Sequence, residues 1–132
     1  PAVVVDFGSA TTYDVIDGKG AFIGGAIAPG IDISAYHLIE KTALLKSAAF
    51  QFPEKAVGRN TKTNLQSGIM FGGIDAILGM LKRIQSEMGW EEMNVVLTGG
   101  FSRLISPQLD RAHQLAPHLT LDGMRLISKL ST

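Results

Sequence analysis

The chain has 132 residues, 45% of them hydrophobic, which is enough to form one domain with a buried core. Twelve basic and twelve acidic residues give a formal net charge of zero, so we expect neither nucleic acid nor an anionic membrane as a partner. The lack of cysteine excludes disulfides, thiolate metal sites and a cysteine nucleophile. No apolar run reaches the roughly 18 residues of a spanning helix, and the residues from Pro1 onward do not resemble a signal peptide, so we expect a cytoplasmic protein.

Three strands are predicted at the start of the chain. Apolar runs at 2–5 and 22–28 indicate strands, and residues 11–16 between them alternate loosely between apolar and polar. The sequence DGKG at 17–20 supplies a turn between the second strand and the third. Because the connections are short, we predict an antiparallel meander.

Helical spacing begins after the PG pair at 29–30, and the segment 51–60 then indicates a loop. A longer helix is predicted from the capping-box spacing of Thr63 and Gln66 as far as Gly89. The first helix is indicated by positions three or four residues apart, namely Ile31, Ala35, Leu38, Thr42 and Leu45.

A stripe of small residues follows one side of the longer helix, at Gly68, Gly72 and Ala76. Each glycine costs roughly 1 kcal/mol of helix propensity relative to alanine, which indicates that something packs closely against the stripe. We favour packing against the glycine-thinned strands of the same sheet. The alternative is a helix contact between two copies of the chain.

The last third of the chain adds a fourth strand in MNVVLTGG at 93–100, which we predict to lie parallel to the first strand after a helical crossover. A short helix near 102–109, an irregular segment at 115–123 and a closing helix from Met124 follow. The predicted fold class is α/β, with a mixed sheet of a three-strand antiparallel meander plus parallel strands, flanked by helices. We find no internal linker within residues 1–132.

The stretch VVVDFGSATT at 3–12 ends an apolar strand with an acidic residue and several small ones. Asp6 could hold a cation there, and the residues from Gly8 to Thr12 could bring backbone N–H groups and hydroxyls close to phosphates. The structural alternative is a tight hairpin that Gly8 permits and the Asp6 side chain caps. Composition leaves both interpretations open.

Two further strands are rich in glycine. VVLTGG at 95–100 places Gly99 and Gly100 before a predicted helix, whose N-terminus would favour a nucleotide, although a simple strand-to-helix turn also explains the pair. Gly24 and Gly25 thin the third strand, which indicates the close approach of a ligand, a helix or another subunit.

Six segments together resemble the second half of the type III pantothenate kinase family, which has the ribonuclease-H-like fold of the actin and sugar kinase superfamily. In chain order they are VVVDFGSATTYDVID, GGAIAPGI, VGRNT, QSGIMFG, VVLTGG and LTLDGMRLI. The resemblance implies an ATP-dependent kinase that phosphorylates pantothenate to 4'-phosphopantothenate in coenzyme A biosynthesis, with Mg-ATP as co-substrate. It also implies a homodimer.

The resemblance further implies roles for individual residues. It places Asp6 on a monovalent cation, potassium or ammonium, Ser9 on ATP, and Thr61 of VGRNT on pantothenate. The remaining candidates are Gly8, Thr11, Gly99 and Gly100 for ATP, and Arg59 and Asn60 for the substrate. Arg59 is equally compatible with a solvated loop position.

Two motifs from the first half of that family do not occur in this sequence: a DxGNTxx phosphate loop and a GADR-type motif that holds the proposed base. We therefore expect residues 1–132 to be the C-terminal lobe of the kinase, without a catalytic base and inactive alone. Two other function classes stay open: another sugar kinase or ATPase of the superfamily, and a non-catalytic domain that dimerises or binds a partner.

Other conspicuous polar residues are predicted to be structural. Asp17 precedes Gly18 and is predicted to form a turn, whereas Asp14, in an alternating strand, could face the site. Surface or capping roles are predicted for the histidines, which share no metal-ligand spacing: His37, His113 and His118.

Overall fold

The computed structural model of the chain describes residues 1–40 and 46–131. The strands are β1 (Ala2–Phe7), β2 (Ala10–Ile16), β3 (Phe22–Pro29), β4 (Asn94–Gly99) and β5 (Gln114–Leu115). The α-helices are α1 (Ile31–Glu40), α2 (Lys46–Ala49), α3 (Thr61–Gln66), α4 (Gly72–Met88), α5 (Ser102–Ile105) and α6 (Leu119–Leu130). A π-helical segment, Ser67–Phe71, joins α3 to α4, and a 3₁₀ turn, Ser106–Gln108, follows α5.

The strands form one sheet in the order β3-β2-β1-β4-β5. β1 pairs antiparallel with β2, and β2 with β3, while β4 lies parallel to β1 and β5 parallel to β4. This topology confirms the predicted meander and the predicted parallel fourth strand. β5 has no counterpart among the predicted strands, because two residues are too few to show a hydrophobic period.

The two faces of the sheet differ, because successive side chains of a strand point to opposite sides. In β1, Val3, Val5 and Phe7 are buried, and the residues between them are only half-buried. Ile77 and Leu81 of α4 belong to the same buried core. Full burial of such a side chain contributes about 1.5–3 kcal/mol. We call this side the covered face of the sheet, and the side that includes Asp6 the open face.

One helical rod runs from Thr61 to Met88 through α3, the π-helical segment and α4. Its capping box joins Asn60 and Thr63: the Thr63 N–H donates to Asn60 Oδ1 (2.9 Å), and the Asn60 N–H donates to Thr63 Oγ1 (3.2 Å). The predicted box of Thr63 and Gln66 is therefore wrong, since an asparagine three residues upstream is the N-cap. Gly89 ends the rod at a φ of 65°, as predicted.

The small-residue stripe of the rod does not pack against the sheet. A β-carbon added to Gly68 or Gly72 would meet no heavy atom within 4 Å, and these glycines and Ala76 are exposed. The favoured interpretation of the stripe is wrong, because α4 turns the side chains of Ile77 and Leu81, not the stripe, toward the core.

The remaining predicted elements are confirmed or corrected at their ends. α1 confirms the helix after the PG pair, whereas Thr42 and Leu45 lie outside the described residues. The loop at 51–60 and the short helix after Phe101 are confirmed. The closing helix begins at Leu119 and not at Met124, since a helix accommodates an internal glycine such as Gly123 at a cost of about 1 kcal/mol.

Helix α6 buries none of its residues. Five of its large hydrophobic side chains are more than half exposed: Leu121, Met124, Leu126, Ile127 and Leu130. Among the helices of residues 1–40 and 46–131, none has the length and apolar character that crossing a bilayer demands.

Candidate functional site

The glycine-rich strand ends meet at one edge of the sheet, where β1, β3 and β4 all end. Because β1 and β4 are parallel, Phe7 pairs with Gly99. The connection from β1 to β2 consists of Gly8 and Ser9, both exposed, and the Gly8 N–H donates to the Ala10 carbonyl (3.1 Å). The structure therefore brings together two of the segments that the sequence singled out.

Close contacts require two of the glycines at this edge. Gly99 has a φ of +92°, and a β-carbon added there would lie 2.5 Å from Asp6 Oδ1 and 2.6 Å from the Phe7 nitrogen. A β-carbon on Gly30, just after β3, would clash with the Ser9 carbonyl. Glycine backbone thus flanks the β1–β2 turn on two sides, which lets the chain approach the turn closely.

The glycine pair inside β3 has another explanation. A β-carbon on Gly25 would overlap the carbonyl of Tyr13 in β2, and Gly24, with a φ of 135°, lies where the β2–β3 register shifts near Val15 and Ile16. No helix side chain of the described residues is among the three nearest atoms within 4 Å of a β-carbon placed on either glycine. The close neighbour is the adjacent strand of the same sheet.

The carboxylate of Asp6 lies on the open face, half-buried, at the glycine-rich edge. The strand pairing places Thr12 of β2 and Thr98 of β4 on either side of it. No residue in the two described ranges donates a hydrogen bond to this carboxylate, so Asp6 does not cap the turn. A half-buried carboxylate without a partner is suited to bind a cation, since burial otherwise penalises its charge.

Asp6 is not part of a cluster of acidic or histidine side chains in the described residues. Within residues 1–40 and 46–131, no three His, Asp or Glu side chains come close enough together to hold a metal ion. Asp14 lies on the same face but pairs with Val4, further from the edge. One carboxylate with the hydroxyls of Thr12 and Thr98 beside it supplies hard oxygen ligands and a single negative charge.

Thr11, predicted to contact ATP, lies on the covered face and away from Asp6. It is 4% exposed and pairs with Phe7 and Ala28. The geometry gives its predicted role no support. Its neighbour Thr12 faces the site instead, and the sequence did not distinguish the two because a shift of one residue in register exchanges their faces.

The helix after Gly99 and Gly100 is too short to act as a nucleotide-binding N-terminus. α5 has four residues, and its Ser102 Oγ donates to the Gly99 carbonyl (2.7 Å). This bond and the positive φ of Gly99 account for the turn. The relevance of the glycine pair to the site therefore depends on its position beside Asp6 and not on a helix dipole.

The VGRNT segment forms the start of the helical rod. Asn60 uses its side-chain oxygen as the cap, with Thr63 N–H (2.9 Å) and Thr63 Oγ1 (3.1 Å) as its partners. A β-carbon on Gly58 would clash with the first turn of α3, so the loop lies directly against the helix. Arg59 and Thr61 are exposed, and their side chains take no part in the capping box.

A groove of about 510 Å³ separates α1 from the first half of the rod. None of the described residues that line it is charged. Tyr13 and Thr11 line it at 2% and 4% exposure, and neither side chain has a hydrogen-bond partner in the described part of the chain. Burial raises the pKa of the Tyr13 hydroxyl above its ordinary value. The small-residue stripe lines the same groove, with Gly68, Gly72 and Ala76.

Asp17 and His113 have structural partners. Asp17 Oδ1 accepts hydrogen bonds from the N–H groups of Ala21 (2.9 Å) and Lys19 (2.8 Å), and these two bonds lower the pKa of its carboxyl. The prediction that Asp17 forms a turn is confirmed. The ring of His113 bonds Ser106 Oγ (2.7 Å) and the Arg111 carbonyl (2.6 Å). His118 is the exposed N-cap residue of α6, and the side chain of His37 lies outside the described part of the chain.

Comparison with known proteins agrees with this arrangement of strands and turns. The family model for type III pantothenate kinase matches residues 1–83. A type III pantothenate kinase of Thermomicrobium roseum is 46% identical over 125 residues, which cover 95% of this chain and 48% of that protein. One of Moorella thermoacetica is 43% identical over 132 residues, covering 100% of this chain and 52% of that protein.

A solved structure is also similar. A crystal structure of a Campylobacter jejuni protein assigned to the Baf family of transcriptional activators superposes with a TM-score of 0.67 at 25% identity, covering 98% of this chain and 58% of that one. The chain spans about half the length of the curated relatives it matches.

Fold and site together define an α/β domain with a mixed five-strand sheet, flanked by helices, and an acidic residue at a glycine-rich strand edge. With the family model and the relatives above, this chain belongs to the type III pantothenate kinase family.

Proposed function

We propose that the complete protein transfers the γ-phosphoryl group of Mg-ATP to the primary hydroxyl of pantothenate, and that this chain is one of its two lobes. Membership of the family and the half-length match to relatives support this proposal. The strand order, with an antiparallel meander followed by parallel β4 and β5, also fits a ribonuclease-H-like lobe. ATP as co-substrate agrees with a cytoplasmic location.

The observation that supports this function most strongly is the unpartnered carboxylate of Asp6 at the glycine-rich edge. Phosphoryl transfer develops negative charge on the phosphoryl oxygens, so an enzyme needs positive charge and fixed donors at that place. A potassium or ammonium ion on Asp6 would supply such a counter-charge. The hydroxyl and backbone N–H of the exposed Ser9 would orient phosphate oxygens, with Gly8, Gly99 and Gly100 beside them.

The substrate alcohol would be bound by Thr61 and Arg59, near the start of the rod. Thr61 is exposed at the first position of the rod, and its hydroxyl is not used in the capping box, which leaves it available to pantothenate. Arg59 is exposed nearby and could pair with the carboxylate of the substrate. We assign the base that orients the attacking hydroxyl to the part of the protein outside this chain.

The test is the Asp6→Asn variant of the complete protein in a coupled assay of ADP release, with pantothenate and with potassium varied. We expect most activity and most of the potassium response to be lost, about 100-fold in kcat, because the charge that balances the cation is removed. Circular dichroism should show an unchanged melting temperature. A variant with normal rate and normal potassium dependence would contradict the proposal.

Two controls separate the other function classes. The isolated 132-residue chain should release no pantothenate-dependent ADP, since part of the site lies outside it. Replacing pantothenate with a hexose should also give no turnover. Activity with the sugar would identify a different kinase of the superfamily, and no activity of the complete protein with either substrate would favour a non-catalytic domain.

We also propose that the complete protein is a homodimer whose subunits meet at the groove. The described lining of the groove carries no charge, the side chains of Tyr13 and Thr11 in it make no hydrogen bond with the described residues, and the stripe at Gly68 and Gly72 faces open space. Gly72→Leu should therefore convert the dimer to monomer in sedimentation experiments. Gly79→Leu is the matched control, because Gly79 is also exposed in α4 with open space around it but does not line the groove.

A further inference from the structure

The loop that precedes the rod, residues 51–60, is fastened to the rod at its π-helical junction. This loop ends in the VGRNT segment, so its position sets where Arg59 and Thr61 lie. Two adjacent residues at the junction make these contacts: Gln66 bonds the segment before the loop, and Ser67 bonds the loop itself.

Gln66 fixes the segment before the loop. It is 5% exposed, and its Nε2 donates to the carbonyl of Ala48 in α2 (2.6 Å). A buried amide that makes such a bond is costly to replace, because the carbonyl it satisfies would lose its partner.

Ser67 fixes the loop itself. Its Oγ donates to the Ala56 carbonyl in a short hydrogen bond. The rings of Phe52 in the loop and Phe71 in the π-helical segment are 5.8 Å apart, which adds an aromatic contact at the same junction. Contacts at Phe52 and Ala56 therefore hold the loop against the π-helical segment of the rod.

The π-helical segment lets one end of the rod contact α2 and the loop while the other end packs on the sheet. A π turn contains an extra residue and rotates the part before it relative to the part after it. In α4 the buried side chains Ile74, Ile77 and Leu81 face the sheet. The π segment allows Gln66 and Ser67 to face α2 and the loop without altering that packing.

We propose that Gln66 and Ser67 are positioning residues for the substrate alcohol: they hold the loop at 51–60 so that Thr61 and Arg59 are placed to bind pantothenate. This inference rests on the proposed function. It predicts that changes at the junction weaken the binding of pantothenate and leave the binding of ATP unaffected, because the ATP contacts lie at Asp6 and the β1–β2 turn.

The experiment measures KM for pantothenate and for ATP in the complete protein. Gln66→Met keeps the size of the side chain and removes the donor, and we expect it to raise KM for pantothenate about tenfold, the effect of one lost buried hydrogen bond. KM for ATP and kcat should change less than about twofold. Ser67→Ala, a milder change that removes one hydroxyl, should act in the same direction, and Ser67→Thr should restore the wild-type KM.

Gln85→Met is the matched control. Gln85 also lies in the rod and its Nε2 also donates to loop carbonyls, those of Trp90 (3.1 Å) and Glu91 (3.0 Å), but at the opposite end, and its Oε1 accepts from Arg111 Nη2 (2.7 Å). Gln85→Met should therefore lower the melting temperature at least as much as Gln66→Met without changing KM for pantothenate. Equal effects of Gln66→Met on both KM values, or the same pantothenate effect from Gln85→Met, would overturn the inference.

The two proposals fail in different ways. A complete wild-type protein that turns over no pantothenate overturns the proposed function, and this inference with it. An active wild type whose Gln66→Met and Ser67→Ala variants keep the normal KM for pantothenate overturns the positioning role alone.

Discussion

The two turns of the meander each follow an aspartate, and the two aspartates have opposite surroundings. At the β2–β3 turn, Asp17 accepts hydrogen bonds from the N–H groups of Lys19 and Ala21. At the β1–β2 turn, Asp6 accepts none from the described residues, and the turn closes through the backbone of Gly8 and Ala10. One carboxylate stabilises its own turn, and the other is left for an external partner.

This difference shows why the role of an aspartate near a glycine-containing turn is ambiguous in a sequence. Asp17 lies at the end of β2 and its turn folds back over its side chain, whereas Asp6 lies within β1 and projects from the open face. The residue types are alike, and only the position relative to the end of the strand differs. A free carboxylate at a strand edge is the more informative of the two about function.

The largest expected effect comes from two glycines, Gly99 of β4 beside the β1–β2 turn and Gly20 in the β2–β3 turn. Gly99→Ala should lower the free energy of unfolding by more than about 3 kcal/mol, because the methyl group would meet Asp6 Oδ1 and the Phe7 backbone in addition to the strain of a positive φ. Gly20→Ala, at a φ of 84° with open space around it, should cost only about 1–2 kcal/mol. Urea unfolding of both variants measures the difference, and equal losses would show that the contact with Asp6 is unimportant.

A smaller effect should separate the two threonines that follow the first turn. In the complete protein, Thr12→Val should raise KM for ATP about tenfold, because it removes a hydroxyl beside Asp6 on the open face. Thr11→Val removes a hydroxyl of the same size from the covered face and should leave KM for ATP unchanged. Steady-state kinetics of the two variants test the assignment, and the reverse result would restore Thr11 to the site.

The smallest effect concerns Asp17 and pH. Its pKa is lowered by hydrogen bonds from the Ala21 and Lys19 backbone, so its contribution to stability is present above the unfolded pKa of about 3.9 and is lost as pH falls through the folded value. Asp17→Ala should therefore melt slightly below the wild type at pH 7, and the gap should close toward pH 3. A gap independent of pH would mean that the carboxylate does not stabilise the turn.

Much of the sheet could be predicted from the sequence. The apolar run at 2–5, the DGKG turn and the second apolar run at 22–28 were sufficient for the antiparallel meander, and VVLTGG for the parallel strand beside it. These elements were predictable because each has a strong local pattern and is joined to its neighbour by a short turn or one helical crossover.

The features that the sequence did not reveal depend on packing across distant segments. Thr11 was assigned to the site instead of Thr12 because hairpin register is not visible in a single strand. The stripe at Gly72 was predicted to pack on the sheet. Small residues indicate that something packs closely against a surface, but they do not identify the packing partner. The π turn was not predicted either, and the contacts of Gln66 and Ser67 at it, with Ala48 and Ala56, join segments that are distant in the sequence.

Helix α6 has a practical consequence for anyone who prepares this chain by itself. Five large hydrophobic side chains on twelve residues face water, and a contiguous apolar surface of this kind drives aggregation when nothing covers it. Purification yield and solubility should therefore respond to replacements such as Leu130→Lys or Ile127→Glu, with no change in the sheet. Crystallisation trials of the isolated chain would benefit from these surface variants before any change is made to the site.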